Sequence, residues 1–350
     1  MQTSQASDRP VGRARAERFD KKQIRWWTTL VWALSGLALL LLYNLFFTPG
    51  FFTVTVREGH LYGVLIDILN HGSKVMLLAL GMALVIATRG VDLSVGAVMA
   101  IAGAVAARAI NTGSISFGAV IALALAVAIV AGAWNGVLVG AFRIQPIVAT
   151  LILMVAGRGV AMLITDGQII TFTDARLVFI GNGHFLLPFP VWLSLGMLLL
   201  TVALTRGTAI GLFIEAAGDN QTASTYAGIS AATVKFVVYV FSGFCAGLAG
   251  LVAASNIKCA DSNHAGLFLE LDAILAVVVG GTSLNGGRFY LVGAIVGALF
   301  IQTLTTTMYM RNVSADVAPV PKALAILAVC LLQSPVVRMK AAKLFRRPTA

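Results

Sequence analysis

Apolar residues in this chain form long uninterrupted runs, without the period-two alternation of a half-buried β-strand. Most runs approach the ~20 apolar residues that a helix needs to cross a bilayer. Because a backbone in lipid must satisfy its own hydrogen bonds, only helices or closed barrels can span it, and barrel strands would alternate. The pattern predicts an all-α polytopic membrane protein with about ten transmembrane helices, some short or broken. The predicted blocks are 28–48, 75–88, 92–110, 117–141, 144–165, 188–205, 232–255, 271–284, 291–309 and 320–337.

The composition and charge agree with a lipid-embedded chain. Of 350 residues, 59% are hydrophobic and 11% charged, with a mean hydropathy of +0.91, whereas soluble domains carry about 25% charged residues. The net charge of +11 is concentrated at the ends: residues 1–27 hold seven basic and three acidic residues, and 335–350 hold five basic and no acidic ones. Basic flanks beside apolar helices are the positive-inside signal. We therefore expect both termini in the cytoplasm, an even number of crossings, and no nucleic-acid partner.

The predicted topology divides the chain into a basic cytoplasmic N-terminal tail at 1–27, a transmembrane domain at 28–337 and a basic cytoplasmic C-terminal tail at 338–350. The longest cytoplasmic loop between predicted helices is 206–231. Three arginines fall at predicted cytoplasmic turns, which supports the alternation of sides. These are Arg143, Arg206 and Arg288.

Two predicted blocks, 75–88 and 271–284, are only 14 residues long. As helices they would measure about 21 Å, against ~30 Å of hydrocarbon. Each ends in a glycine-containing polar turn and is followed by another apolar block. Paired short or glycine-interrupted segments indicate a transport site built on broken helices.

Small residues recur at four-residue spacing in three blocks. In lipid, this spacing lets helix backbones approach closely. We expect the glycines to pack inside the bundle, with a dimer face as the alternative. They are Gly132, Gly136 and Gly140, then Gly243 and Gly247, then Gly293 and Gly297.

No catalytic or metal-binding motif stands out in the sequence. The four histidines fall in predicted outside loops and form no HExxH, and no GxSxG is present. In GGTSLNGGRF two glycines have Walker spacing, but Gly287 and Arg288 stand where Lys and Ser or Thr must hold phosphate and magnesium. We therefore expect no catalytic residue, metal or cofactor in this chain, and any energy input must come from a partner.

The loop 206–231 is longer than a connector between adjacent helices requires. Its centre, Phe213 to Ala227, mixes small residues with Glu215, Asp219 and Asn220. A short helix of small residues fits a groove on another protein. The loop therefore favours a docking element, with a plain linker as the alternative.

Four long motifs, in the same order, resemble the membrane permease subunits of bacterial ribose/galactoside-type ABC importers. They are LVIATRGVDLSVGAVMAIAGA, IQPIVATLILMVAGRG, GLFIEAAGDNQTASTYAGI and LELDAILAVVVGGTSLNGGRF. The resemblance runs from about residue 60 to 337. LYGVLIDILN and AGLFLELDAILAVV are most similar to the galactofuranose importer branch of that family.

The resemblance implies a permease domain that imports a monosaccharide, galactofuranose or a related pentose or hexose, across the bacterial inner membrane. It also implies a second permease subunit (an identical copy or a paralogue), a periplasmic sugar-binding protein, surrounding membrane lipid, and a cytoplasmic ABC ATPase that holds ATP and magnesium. The family's coupling segment would place one set of residues against that ATPase. This set is Arg206, Thr208, Gly211, Glu215, Ala216, Gly218, Asn220, Ala223 and Gly228.

Arg89 and Asp92 interrupt the apolar run in ATRGVDLSVG, and the family usually has glycine at the Arg89 position. A charge at mid-bilayer costs several kcal/mol, and less near the interface or when paired. At a cytoplasmic turn Arg89 can snorkel to water, while the Asp92 carboxylate can cap the free N–H groups of the next helix. An Arg89–Asp92 pair, a sugar contact by Asp92 and an ion-coupling role remain alternatives.

For the translocation pathway we expect polar groups and aromatics at helix breaks and small-residue stretches, without strong charges. An ion-coupled secondary transporter of a small polar solute is the alternative function, although only Arg158 and Asp92 supply the ionisable groups within helices that it would need. The candidate pathway residues are Asp92, Ser94, Trp134, Asn135, Thr282, Ser283 and Asn285.

Overall fold

The computed structural model of the protein describes residues 30–57, 59–314 and 317–333. The predicted tails at 1–27 and 338–350 lie outside the described residues. In chain order the helices are α1 (Leu30–Phe47), α2 (Val64–Ala87), α3 (Val95–Thr112), α4 (Phe117–Gly140), α5 (Pro146–Ile164), α6 (Ala175–Asn182), α7 (Phe189–Gly207), α8 (Ile210–Asp219), α9 (Gln221–Tyr226), α10 (Ala231–Ile257), α11 (Leu269–Val279), α12 (Leu291–Met310) and α13 (Pro319–Gln333).

Eight helices in the described part of the chain are long and apolar enough to cross a membrane: α1 to α5, α7, α10 and α12. With the shorter α11 and α13, they account for the ten predicted blocks. The prediction of a helical, multi-pass membrane protein is therefore confirmed. The cytoplasmic placement of the termini stays a prediction.

The prediction that the block at 75–88 forms a short helix is wrong. Helix α2 begins eleven residues earlier, at Val64, and has 24 residues. Polar side chains such as Asp67 and Lys74 lower the hydropathy of its first half, but they do not interrupt the backbone hydrogen bonds that define a helix. The other short block is confirmed, because α11 has only 11 residues and ends at Val279.

Two short antiparallel ribbons lie in connections between helices. Strand β1 (Thr55–Arg57) pairs with β2 (His60–Tyr62) just before α2, and β3 (Ile170–Thr171) pairs with β4 (Cys259–Ala260). The second ribbon joins the segment after α5 to the segment after α10. These two segments were both predicted on the outside, and the pairing brings them to the same end of the bundle.

Helices α2, α3 and α10 form the centre of the bundle. In an apolar stretch of 18 residues within α2, 78% of the residues are buried, whereas in the corresponding stretch of α5 only 22% are buried. Helices α1, α4, α5 and α7 surround the centre and expose large apolar side chains such as Leu39, Val130 and Val155. An apolar exterior is what the acyl chains of a bilayer require.

The glycines at four-residue spacing bring helices of this chain together. A Cβ atom on Gly132 of α4 would lie 3.0 Å from the Cα of Gly243 on α10. In the same way Gly293 faces Gly280, and Gly297 faces the backbone of Ala276, where α12 crosses the end of α11. The expectation of packing inside the bundle is confirmed for these glycines.

The first turn of α11 carries two buried carboxylates, Glu270 and Asp272. The Lys322 ammonium of α13 contacts both oxygens of Asp272, at 3.0 and 2.9 Å. This ion pair attaches α13 to the short helix. Both carboxylates are buried inside the chain and do not lie on its surface.

Helix α6 lies in the connection between α5 and α7 and begins with a side-chain cap. The Asp174 carboxylate accepts hydrogen bonds from the Arg176 and Leu177 N–H groups, and the Arg176 guanidinium also donates to it. These donors, the guanidinium above all, hold the pKa of Asp174 below its ordinary value. The cap fixes the start of a helix that has only eight residues.

Candidate functional site

The first helix break lies between Ala87, where α2 ends, and Val95, where α3 begins. The N–H groups of Thr88 and Gly90 both donate to the Val85 carbonyl, at 3.0 Å, and close the turn. The chain then passes inward, and Asp92 is only 1% exposed. The break therefore places a carboxylate inside the bundle.

Four donors surround the Asp92 carboxylate. Its Oδ1 accepts the Ser94 N–H at 3.1 Å and the Ser94 hydroxyl at 2.6 Å, and its Oδ2 accepts the Ser242 hydroxyl at 2.8 Å. The Asn135 amide donates to Ser94 Oγ at 2.8 Å and lies 3.5 Å from Asp92 Oδ1. The cluster of Asp92, Ser94, Asn135 and Ser242, which we call the Asp92 cluster, joins the break to α4 and α10.

The backbone next to Asp92 is also held by side chains. The Val91 carbonyl accepts hydrogen bonds from the Tyr239 hydroxyl at 3.4 Å and the Thr150 hydroxyl at 3.3 Å. The contributions of Thr150, Tyr239 and Ser242 were not predicted from the sequence. The spacing of Tyr239 and Ser242 was the available signal, because polar side chains three residues apart lie on one face of a helix.

The geometry distinguishes between the roles considered for Arg89 and Asp92. The Asp92 carboxylate accepts the N–H of Ser94, the residue that precedes α3, and in the described chain it accepts no N–H from α3 itself, so the predicted cap on that helix is not formed. No ion pair in the described ranges joins Arg89 to Asp92, so the predicted alternative of a pair between them is wrong. Arg89 points away and donates to the backbone carbonyls of Asn285 and Asp219.

The second break, between α11 and α12, holds three candidate pathway residues. Thr282 is buried, and its Oγ1 accepts the Tyr290 N–H at 3.1 Å. Ser283 and Asn285 are exposed, and the Asn285 N–H donates to Ser283 Oγ at 3.2 Å. These bonds close the turn on itself. Within the described chain, no hydrogen bond connects Thr282, Ser283 or Asn285 to the Asp92 cluster.

Trp134 does not join the Asp92 cluster, although its neighbour Asn135 does. Trp134 is 55% exposed, whereas Asn135 is fully buried. Successive residues of a helix point about 100° apart, so the two side chains leave α4 in different directions. The role of Trp134 and Asn135 in the translocation pathway stays a prediction.

The loop 206–231 contains helices α8 and α9. The Thr208 hydroxyl accepts the Ile210 N–H at 3.2 Å, and Asn220 Oδ1 caps α9 by accepting the Ala223 N–H at 3.0 Å. The Arg206 guanidinium lies 3.8 Å from Glu215 Oε1 and 5.3 Å from the centre of the Phe289 ring. These contacts give the loop a defined shape against the bundle, which a plain linker would not need. We call α8, α9 and their flanking turns the coupling segment.

The residues of this segment that were expected to meet a partner fall into three groups by exposure. Gly211 and Gly218 are buried and pack against their own chain, Gly211 on the backbone of Thr205 and Gly218 on that of Ala87. Both need glycine because a Cβ would collide with that backbone. Glu215 and Ala216 are partly buried. Arg206, Thr208, Asn220, Ala223 and Gly228 are exposed.

Several large apolar side chains that are exposed on the coupling segment were not predicted from the sequence. Leu212 is 66% exposed, Phe213 39% and Tyr226 89%. Small residues on one side of α8 let it lie close to the bundle, so the larger ones on its other side face outward. Exposed aromatic groups such as Tyr226 are typical anchors of a protein interface.

No cluster of metal-binding side chains is found where the structure describes them. Groups of three or more His, Cys, Asp or Glu residues in reach of one ion do not occur in the described ranges. The site is built from hydroxyls, amides, one carboxylate and backbone groups. Such groups can hydrogen-bond an uncharged, hydroxyl-rich solute.

Comparison with known proteins gives one family match and many relatives. The profile described as branched-chain amino acid transport system / permease component matches residues 64–332. The galactofuranose transporter permease protein YtfT of Escherichia coli (strain K12) is 50% identical over 315 residues, covering 90% of this chain and 92% of the relative. No solved structure matches the chain.

Two further relatives are import permeases for other sugars. The fructose import permease protein FruF of Bifidobacterium longum (strain NCC 2705) is 38% identical over 345 residues, covering 96% of this chain and 95% of its own. The ribose import permease protein RbsC of Haemophilus influenzae is 37% identical over 272 residues, covering 76% and 84%. The chain therefore belongs to the branched-chain amino acid transport system permease component family and is a multi-pass protein of the inner membrane.

Proposed function

We propose that this protein is the membrane-spanning permease subunit of an ABC importer, which carries a monosaccharide into the cytoplasm and is driven by a separate ATPase subunit. The observation that carries the proposal is the coupling segment, in which Leu212, Phe213 and Tyr226 face outward while α8 packs against the end of α2 and against Gly287, in the turn before α12. A partner that moves this surface moves both helix breaks with it.

The ATPase would bind ATP and magnesium, and the permease itself would hydrolyse nothing. Its contact would include the exposed Arg206, Thr208, Asn220, Ala223 and Gly228 beside the three apolar anchors. The position of α8 on the bundle would be set by residues on its inner side, namely Gly211, Gly218 and Ala216. The full partner set would comprise this ATPase, a periplasmic sugar-binding protein, a second permease subunit and the surrounding lipid.

The Asp92 cluster is the part of the pathway that the geometry supports best. Asn135 Oδ1 is buried and accepts no hydrogen bond from the residues described, so an acceptor remains for a sugar hydroxyl once the helices separate. Asp92 and Ser94 would keep the break in shape while the pathway opens. Thr282, Ser283 and Asn285 would border the path at the second break, and Trp134 would reach it only across a subunit contact.

Galactofuranose is the proposed cargo, because the relative that transports it shares half of its aligned residues with this chain over nearly the full length of both. Fructose and ribose permeases align at lower identity. The hydroxyls, the amide and the single carboxylate of the Asp92 cluster can hydrogen-bond an uncharged sugar, which supports a monosaccharide. The choice among monosaccharides rests on identity alone.

The proposal is tested by reconstituting the permease with its cognate ATPase and binding protein in proteoliposomes and measuring uptake of labelled galactofuranose, ribose and fructose. We expect ATP-dependent uptake, with galactofuranose preferred. Tyr226→Ala should weaken capture of the ATPase, whereas Phe185→Ala, which alters an exposed aromatic outside the coupling segment, should not. Uptake that needs no ATPase and is abolished by a protonophore would favour the ion-coupled secondary transporter instead.

A further inference from the structure

Arg89 holds a backbone conformation that arginine normally avoids. Its φ of 61° lies in the left-handed region, where a Cβ atom crowds the following carbonyl group. Glycine would adopt this turn without strain. An arginine at this position therefore has to be explained by what its side chain contacts.

The Arg89 guanidinium bridges two separate segments of the chain. Its Nε donates to the Asn285 carbonyl at 2.9 Å, and its Nη2 donates to the Asp219 carbonyl at 2.6 Å. Asp219 is the last residue of α8, where backbone carbonyls lack helical partners and the helix dipole is negative. The Arg89 guanidinium thus caps the C-terminus of α8 and also hydrogen-bonds the turn of the second break.

The three segments that meet at Arg89 are in direct backbone contact. The Gly287 N–H donates to the Ala87 carbonyl at 2.8 Å. A Cβ on Gly218 would collide with that same carbonyl, and a Cβ on Gly286 would lie 2.5 Å from Arg89 Cγ. The end of α2, the end of α8 and the turn at 285–287 therefore pack without room for another side chain.

Arg89 contributes little that the fold itself requires. The side chain is exposed, so its removal would leave no buried charge without a partner, and water can replace it at both carbonyls. Replacement by glycine would also relieve the strained backbone. The variant would lose the two side-chain hydrogen bonds that connect the first break, where Arg89 lies, to the end of α8 and to the second break.

We propose that Arg89 is a positioning residue for energy coupling, which ties the end of the coupling helix to both helix breaks so that movement of α8 reaches the pathway. This inference rests on the proposed function, since it assumes an ATPase that moves α8. Two charge-assisted hydrogen bonds to backbone carbonyls form the tie. Lysine at this position would keep the charge but not the forked donor geometry.

The test compares wild type, Arg89→Gly and Arg89→Lys as complete importer complexes in proteoliposomes, with Arg108→Ala as the control. Arg108 is another exposed arginine, and its partner is Asp166, in the connection after α5. The readout is sugar transported per ATP hydrolysed, because a folding defect would lower both rates together. We expect this ratio to fall about fivefold or more in Arg89→Gly, to fall less in Arg89→Lys, and to stay unchanged in Arg108→Ala.

A normal ratio in Arg89→Gly would overturn the proposal. So would a complex that fails to assemble or loses transport and ATPase activity in proportion, because either result assigns Arg89 a structural role. If the wild-type complex shows no ATP-dependent uptake, the proposed function fails instead, and the two failures are thereby distinguished.

Discussion

At the scale of single residues, the Asp92 carboxylate is stabilised in the bundle by neutral donors. Ser94 and Ser242 supply hydroxyl and backbone N–H groups to its two oxygens, and no cation pairs with it in the described part of the chain. Burial of a carboxylate is costly, and these hydrogen bonds offset part of that cost, whereas a buried polar group that loses its partner costs ~1–3 kcal/mol. Asp92 is therefore expected to fix the shape of the first break.

Substitution of Asp92 separates this structural role from a role of its charge. Asp92→Asn retains an oxygen acceptor for the Ser94 N–H and should keep most uptake. Asp92→Leu leaves the Ser94 and Ser242 donors unpaired and should lose uptake. It should also lower the free energy of unfolding by about 1–3 kcal/mol for each unpaired group, measured as a lower melting temperature in detergent. Equal loss of uptake in both variants, with unchanged melting, would indicate that the charge itself takes part in transport.

At the scale of elements, the coupling segment has one face packed against this chain and one face that is exposed. Buried Gly211 and Gly218 allow the close approach of α8 to the bundle, while Leu212 and Tyr226 point outward. The sequence motif predicts the segment as a whole. It does not show which of its side chains are buried and which are exposed. The structure places the glycines against the rest of the chain and the large apolar side chains on the outer side.

The contact between Gly218 and Ala87 gives a prediction for the coupling segment. Gly218→Ala places a methyl group against the Ala87 carbonyl and should push α8 away, at a cost of roughly 1–3 kcal/mol. We expect sugar transported per ATP to fall while the ATPase stays bound. Gly207→Ala is the control, because a Cβ there meets no atom within 4 Å. Normal coupling in Gly218→Ala would contradict the assigned role of this contact.

The ion pair between α11 and α13 gives a second prediction for the elements. The Lys322 and Asp272 side chains are 15% and 12% exposed, so removal of one partner leaves the other buried and unpaired. Lys322→Ala should destabilise the protein by about 3–5 kcal/mol, measured as thermal unfolding in detergent. The double variant Lys322→Met with Asp272→Leu should recover most of that loss. A double variant as unstable as the single one would argue against the pair.

At the scale of the whole molecule, long apolar runs were enough to predict the helices that cross the membrane. Hydropathy placed the start of α2 wrongly, because Asp67 and Lys74 lower the local average without ending the helix. Contacts between distant segments were not predictable in this way. Nothing local to Arg89 shows that it will meet Asp219 and Asn285, and Ser242 lies 150 residues from Asp92 in the sequence.

We propose that the whole molecule is a permease without an energy source of its own. The most direct test measures sugar uptake by the purified permease in vesicles, with and without its ATPase, in the presence of ATP and the loaded binding protein. We expect no accumulation by the permease alone and ATP-dependent accumulation once the ATPase is added. Accumulation by the permease alone would contradict the account.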